Sequence, residues 1–151
     1  MSQDITEFID ELQRQEVAQR TIDSYDSDLL CFARWFKASI GEDFTAQGVT
    51  PTDVRDYKAH LVTVERRKPA TINRRLAALR RFFQWARASG YIQEMPMESV
   101  KGMQSVPRAP KSLEKREVDR LIRAAEKGDK RNLAILQTLR HTGIRVGELC
   151  A

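Results

Sequence analysis

The chain has 151 residues, of which 41% are hydrophobic and 31% charged, and its formal net charge is +5. This composition is typical of a folded globular chain and excludes a disordered or membrane-embedded one. We find no N-terminal secretory signal and no apolar run near the roughly 20 residues that span a bilayer, so we expect a cytoplasmic protein without membrane contact.

The first two predicted helices follow from apolar residues that recur at helical spacing. Asp4 can cap the first helix. The second starts near Thr21 and is closed by Gly41, which can adopt the left-handed conformation that ends helices. The apolar stripes consist of Ile5, Phe8, Ile9 and Leu12 in the first helix and of Ile22, Tyr25, Leu29, Phe32 and Phe36 in the second.

Two further helices are predicted before residue 92. Residues 50–53, TPTD, provide a threonine cap, a proline at the first helical position and a carboxylate at the third. The fourth helix runs over residues 71–89 and ends at Gly90. Because no strand-like alternation occurs in this part, four helices with short connections predict a compact all-α bundle. The apolar stripes are Val54, Tyr57 and Leu61, and then Ile72, Leu76, Leu79, Phe83 and Ala86.

The next part of the chain is predicted to be an extended linker, residues 96–111, because it contains three prolines and no sustained periodicity. Two more helices follow from residue 112 and end at Gly128 and Gly143. This second segment is near the size below which chains seldom fold without help, so we interpret it as the opening of a larger domain. The expected organisation is therefore a helical domain over 1–95, a linker over 96–111 and an incomplete domain over 112–151.

Positive charge is concentrated between Arg66 and Arg87, where eight basic residues occur without an acidic one. Since the whole chain carries +5, the remainder carries −3. A positive field confined to one segment of an otherwise acidic protein indicates a polyanion that is bound in one orientation. The eight residues are Arg66, Arg67, Lys68, Arg74, Arg75, Arg80, Arg81 and Arg87.

The fourth helix presents most of this charge on its polar side. Such a face can enter a major groove, where arginines reach guanine edges or phosphates, amides pair with adenine, and the helix N-terminus favours anions. The alternative interpretation is an ordinary solvated basic face. The predicted DNA-contacting residues are Asn73, Arg80, Gln84 and Arg87 along one flank, Arg74 and Arg81 further round, and Lys68 and Thr71 at the helix start.

Three other side chains of this helix are interpreted as structural. Arg75 projects toward the edge of the apolar stripe, and we expect it to pair with a carboxylate on a neighbouring helix. Phe82 and Trp85 are expected to pack against a neighbouring helix or the linker, with stacking on nucleic-acid bases as the alternative.

A lone arginine, Arg145, lies in the stretch T-G-I-R-V-G-E-L near the end of the chain. Gly143 can take the positive φ that ends one helix, and Ile144, Val146 and Leu149 can anchor the next segment in a core. A guanidinium on rigid backbone suits a phosphate, because its planar fork of donors can grip two oxygens. The alternative is an ordinary surface arginine that follows a helix stop.

The chain resembles the tyrosine recombinases of the phage-integrase type over essentially its whole length, through five stretches that occur in the family's order. The resemblance implies that residues 1–95 are a SAM-like core-binding domain that grips a recombination site and that a catalytic domain begins near residue 112. The stretches are T-I-D-S-Y-D-S-D-L-L at 21–30, A-T-I-N-R-R-L-A-A-L-R-R-F-F-Q-W-A at 70–86, G-Y-I-Q-E-M-P at 90–96, L-E-K-R-E-V-D-R-L-I at 113–122 and H-T-G-I-R-V-G-E-L at 141–149.

The resemblance also implies an activity, which is site-specific integration or recombination of double-stranded DNA. The implied partners are a recombination site and other recombinase protomers on the same DNA. Arg145 matches the family's first catalytic arginine, which steadies the scissile phosphate, while Glu148 is expected to make a structural pairing. Met95 stands where the family commonly has asparagine. Converging cationic donors can stabilise a phosphoryl transition state without a metal, and Cys31 and Cys150 lack metal-ligand spacing, so no metal or cofactor is expected.

The family's catalytic lysine, His-x-x-Arg pair, later His or Trp and tyrosine nucleophile match nothing in this sequence. Tyr25, Tyr57 and Tyr91 fall in the helical domain or at its edge, and His60 and His141 match no catalytic position. We therefore expect a truncated recombinase that binds DNA but cannot by itself cleave or join it. Two alternatives stay open: a regulator that occupies a recombination site or pairs with a full-length recombinase, and a helical module that docks on an acidic protein.

Overall fold

The computed structural model describes residues 2–104 and 112–150, and every element within these ranges is helical. The chain divides into two units, Met1–Val106 and Pro107–Ala151. None of the described helices combines the length and the apolarity that a membrane crossing requires. The predicted all-α class is confirmed. The helices are α1 Gln3–Arg14, α2 Gln19–Ile40, α3 Pro51–Thr63, α4 Pro69–Ala88, α5 Lys115–Glu126, α6 Lys130–Thr142 and α7 Val146–Leu149.

The start of α1 differs from the prediction, since Asp4 is not its N-cap. The helix begins at Gln3 with Ser2 in the cap position, and Asp4 lies in the first turn. Its Oδ2 accepts a hydrogen bond of 2.7 Å from the backbone N–H of Ala46, a residue that is only 1% exposed. A buried backbone N–H needs a partner, so the carboxylate serves a tertiary contact with the loop before α3 instead of the helix end.

Glycine and threonine define other helix ends as predicted. Gly41 ends α2 with φ of +86°, and Gly90 follows α4 with φ of +81°. At the start of α3 the Asp53 N–H donates to Thr50 Oγ1 at 3.3 Å, and the Thr50 N–H donates to Asp53 Oδ2 at 2.7 Å. These reciprocal bonds form a capping box with Pro51 at the first helical position. Both α2 and α4 begin two residues earlier than predicted, at Gln19 and Pro69.

The core of the first unit is a continuous aromatic cluster to which α1, α2, α3 and α4 all contribute. Phe8 contacts Phe82 edge-on with ring centroids 5.5 Å apart, and Phe32 contacts Trp35 at 5.8 Å. Phe82 and Phe83 are fully buried, whereas Trp85 is half-buried and stacks on Tyr91 at 5.2 Å. Burial of each large side chain stabilises the fold by about 1.5–3 kcal/mol. The prediction that the aromatic residues of α4 pack within the protein is confirmed.

The predicted linker is wrong for its first part. Residues 95–104, here called the strap, pack on the bundle, with Met97 only 1% and Val100 only 4% exposed. Isolated apolar side chains fill gaps in the core without forming a helix, so the segment shows no periodicity that a sequence pattern could detect. The two later prolines of the predicted linker, Pro107 and Pro110, lie outside the described residues.

The second unit contains the helix pair α5 and α6 followed by the short α7. Gly143 ends α6 with φ of +66°, as predicted. No residue of these three helices is buried, and Leu121 and Val146 are 44% and 64% exposed. Val146, which could anchor this segment in a core, therefore has no core to enter within the described part of this unit.

Candidate nucleic-acid interface

The solvent-facing side of α4 is a continuous polar and basic surface. At about 100° per residue its members cover an arc of about 140°. All of them are exposed except Asn73, which is half-buried, and none is acidic. Around the arc, from one edge to the other, the residues are Arg87, Arg80, Asn73, Gln84, Ala77, Ala70, Arg81 and Arg74. We call this set the α4 arc.

Arg74, at one edge of the α4 arc, is held by a buried carboxylate of α2. Its Nη1 lies 2.6 Å from Asp28 Oδ2, and the Asp28 side chain is only 4% exposed. Burial raises the pKa of Asp28, and attraction to Arg74 and Arg75 opposes that rise. Arg74 itself stays 54% exposed, so one guanidinium faces both an interior anion and solvent. Its position on the surface is thereby fixed before any ligand binds.

Arg75 forms the predicted ion pair inside the bundle. Its Nη1 lies 3.2 Å from Glu65 Oε2, its Nε lies 3.9 Å from Asp28 Oδ1, and its side chain is 9% exposed. Burial works against the charge of Glu65, but Arg67 and Arg75 together lower the pKa of this carboxyl. Arg75 also donates to Tyr57 Oη at 3.4 Å, and burial raises the pKa of Tyr57 to about 12.

This network also fixes the loop that leads into α4. Glu65 accepts a second contact from Arg67 Nε at 2.6 Å, so two arginines share one carboxylate. Arg66, the next residue of the basic run, has a φ of +48°. A left-handed conformation in a non-glycine residue persists only where its surroundings hold it. The basic residues that precede α4 are therefore presented by a defined turn.

The N-terminus of α4 has fewer free backbone N–H groups for binding an anion than expected. Lys68 is the N-cap and Pro69, at the first position, has no N–H. The Thr71 N–H already donates to the Lys68 carbonyl at 2.9 Å. A phosphate at this end would therefore meet the Lys68 ammonium and the Thr71 hydroxyl more readily than the Thr71 amide, and the contact of Lys68 and Thr71 with DNA stays a prediction.

Two predicted DNA-contacting residues bond to the strap. Asn73 Nδ2 donates to the Met103 carbonyl at 2.9 Å, and Asn73 Oδ1 accepts from the Met103 N–H at 2.7 Å. Arg80 Nη2 donates to the Val100 carbonyl at 3.0 Å. Sequence reasoning missed this role, and the paired amide bonds could not have been found without knowing that the strap lies beside α4.

The remaining residues of the α4 arc have few partners. Arg81 Nη2 donates to Gln15 Oε1 of α1 at 3.2 Å. The side chains of Gln84 and Arg87 make no hydrogen bond to any other described residue, and the same holds for Lys68. These exposed groups can therefore meet a ligand without first breaking a hydrogen bond within the described part of the chain.

Arg145 lies in the second unit at the N-cap position of α7. Its N–H donates to Glu148 Oε2 at 2.8 Å, and its Nη1 lies 3.1 Å from Glu148 Oε1. The structural pairing predicted for Glu148 is confirmed. The Arg145 side chain is 87% exposed, and its contact with a phosphate stays a prediction. Within the described residues, no group of three or more His, Cys, Asp or Glu side chains is arranged to hold a metal ion.

Comparison with known proteins gives a consistent set of relatives. The profile of the phage integrase N-terminal SAM-like domain matches residues 5–90. The chain is 30% identical to a tyrosine recombinase XerD of Ralstonia nicotianae, over 97% of this chain and 47% of the relative. It is 27% identical to a tyrosine recombinase XerC of Xanthomonas axonopodis pv. citri, over 97% of this chain and 52% of the relative.

A solved structure is also similar. The crystal structure of XerA recombinase matches with a TM-score of 0.52 and 25% identity, over 97% of this chain and 48% of that one. The chain thus spans about half the length of the relatives that it matches.

Proposed function

Because the chain belongs to the phage integrase family of tyrosine recombinases, whose SAM-like domain matches residues 5–90, we propose that it binds double-stranded DNA sequence-specifically as part of a site-specific recombinase. The partners in this proposal are a recombination site and other recombinase protomers on the same DNA. Strand exchange would be the activity of the assembly, with DNA integration or recombination as its outcome.

The observation that carries this proposal is the charge pattern of the α4 arc. Four arginines and two amides share one helical surface without an acidic residue. A helix with side chains is about 10–12 Å wide, which matches a major groove of about 12 Å. Since Arg74 and Arg87 lie at opposite edges of the arc, they are suited to the phosphates on the two sides of the groove.

The residues in the middle and at the start of α4 complete the proposed interface. Gln84 projects from the middle of the arc, where its amide can pair with adenine N6 and N7. Lys68 and Thr71 at the start of the helix are suited to the sugar-phosphate backbone. In the second unit, we assign Arg145 to the scissile phosphate, because an exposed guanidinium at a defined helix start can grip two of its oxygens.

The test is a selection of bound sequences from random duplexes, followed by titration of the selected duplex at several salt concentrations. If four to six phosphates are neutralised, the logarithm of the binding constant should fall against the logarithm of salt with a slope of roughly −4 to −5. Arg87→Ala should weaken binding and reduce that slope by about 1. Arg55→Ala, which removes an exposed arginine of α3, is the control for charge alone.

Two outcomes would support the alternatives. A duplex affinity that ignores salt, or that is absent at low salt, would favour a helical module that docks on an acidic protein. Specific and salt-dependent binding by a chain that also inhibits a complete recombinase in trans would favour a regulator of recombination.

A further inference from the structure

The strap is attached to the bundle through its backbone. The Asn73 side-chain amide donates to the Met103 carbonyl at 2.9 Å and accepts from the Met103 N–H at 2.7 Å. A residue of a neighbouring β-strand would form the same pair of hydrogen bonds. From α3, Lys58 Nζ donates to the Lys101 carbonyl at 2.7 Å. With the bond from Arg80 to Val100, three side chains from two helices hold three successive parts of the strap.

The close approach of the strap to α4 depends on a glycine. A Cβ at Gly102 would lie 3.0 Å from Asn73 Oδ1. Such a contact is tighter than carbon and oxygen normally make, so a larger residue requires the Asn73 amide to shift by a few tenths of an ångström and strains its bonds to Met103. Met97 and Val100 anchor the preceding part in the core. The strap is therefore fixed by apolar burial at one end and by the Asn73 amide at the other.

This attachment divides the α4 arc into two parts. Asn73 and Arg80 lie beside each other on the flank that faces the strap, with Arg87 beyond them at the edge of the arc. To read adenine, the Asn73 amide would have to give up both bonds to Met103, and each unmade bond would leave a half-buried polar group without its partner. The part of the arc away from the strap consists of Gln84, Ala77, Ala70, Arg81 and Arg74.

We propose that Asn73 and Arg80 are positioning residues that hold the strap, and that the base-reading surface of α4 runs from Gln84 to Arg74. The short side chain of Ala77 lets the helix backbone approach the floor of the groove, and Gln84 beside it is the specificity-determining residue. This assignment rests on the proposed function, because it divides the same DNA-contacting surface into a positioning part and a reading part.

The experiment compares three variants of the full chain, Asn73→Ala, Gly102→Val and Gln84→Ala, by two measurements. The first is the hydrogen exchange rate of the Met103 amide, and the second is the base preference found by selection from random duplexes. Asn73→Ala and Gly102→Val should both raise the Met103 exchange rate, by about tenfold for the loss of one hydrogen bond. Both should weaken all duplexes equally and leave the preferred sequence unchanged.

Gln84→Ala should give the opposite result. It should leave Met103 exchange unchanged and remove a preference of about 5- to 150-fold at one base pair. Gly102→Val leaves the sequence of α4 unaltered. If it gives the same result as Asn73→Ala, the effect comes from the attachment of the strap and not from damage to the helix.

The assignment is overturned if Asn73→Ala removes the preference at a single base pair, or if Gln84→Ala leaves the preferred sequence intact. It is also overturned if Met103 exchange is the same in Asn73→Ala as in the unaltered chain. Absence of duplex binding by the unaltered chain would instead overturn the proposed function and, with it, this division of the surface.

Discussion

Arg75 connects the interior charges of the first unit to its surface. It shares Asp28 with Arg74 and Glu65 with Arg67, so each carboxylate links a buried guanidinium to an exposed one. Replacing one member of a buried network leaves the others without compensation, which costs more than the intact pair contributes. We infer that the network orders the basic surface before a ligand arrives.

Arg75→Met should lower the free energy of unfolding by about 3 kcal/mol at neutral pH, because it removes the hydrogen bonds to Glu65 and Tyr57 and one of the two cations near the buried Asp28. Urea unfolding gives this value directly. The matched control is Arg74→Met, which removes a guanidinium that is 54% exposed and should cost less. Equal losses in both variants would contradict the central position of Arg75.

The difference in free energy of unfolding between the unaltered protein and Arg75→Met should become smaller as the pH falls from 7 toward about 4. Burial raises the pKa of Asp28 in the folded protein, and removal of Arg75 raises it further, so the variant gains stability as Asp28 takes up a proton. In the unaltered protein the raised pKa of Asp28 acts in the same direction but less strongly. Glu65, whose pKa is lowered partly by Arg75, withdraws stability from the unaltered protein as the pH falls below the usual pKa of a glutamate. Unfolding curves at the two pH values test the sign, and a difference that is constant with pH would contradict this account.

At the scale of the helix, the start of α3 is determined by local chemistry, the capping box between Thr50 and Asp53. Thr50→Ala should cost about 1 kcal/mol, because it removes the side-chain oxygen that accepts from the Asp53 N–H. Thermal unfolding measures the loss. Thr52→Ala, in the same first turn but without a capping bond, should have a smaller effect and serves as the control. A loss at Thr52 as large as that at Thr50 would argue against the capping box.

The helices could be predicted from the sequence because their signals are local. Gly41, Gly90 and Gly143 each take a positive φ where the apolar periodicity stops. The role of Asp4 could not be predicted, since a carboxylate in a first turn has the same local pattern whether it caps the helix or accepts from Ala46. Tertiary hydrogen bonds decide between these two uses.

The sequence predicted which residues form the polar and basic surface of α4, but it did not predict the role of each residue. Arg74, Arg81, Gln84 and Arg87 are exposed on α4 as helical periodicity requires. The bonds from Asn73 to the strap have no signal in sequence, because the strap has no period. Asp28 did carry a signal, since it is an acidic residue one turn before Phe32 on the apolar side of α2.

At the scale of the whole molecule, the two units differ in how much they bury. The first has a continuous core, whereas no residue of α5, α6 or α7 is buried. Amides of α5 and α6 should therefore exchange much faster than those of α2 and α4, because local opening there exposes little apolar surface. Hydrogen exchange resolved by residue tests this prediction. Equal protection in the two units would show that the second is stabilised by contacts that its own helices do not make.

The 151-residue polypeptide should form no covalent adduct with a nicked recombination site. Its three tyrosines all lie in the first unit. Tyr57 is fully buried and burial raises its pKa to about 12, Tyr91 donates to Glu7, and Tyr25 packs edge-on against Phe8. Denaturing gel analysis with labelled DNA checks this outcome. A labelled protein band that disappears in a Tyr25→Phe or Tyr91→Phe variant would contradict it.

The stacking of Trp85 on Tyr91 and of Trp35 on Phe32 has a practical consequence. These are the two tryptophans of the chain, and both lie in the first unit. Intrinsic fluorescence therefore reports melting of the bundle alone, while circular dichroism sums the helices of both units. The offset between the two melting curves measures how far α5 and α6 unfold independently, without any label or added dye.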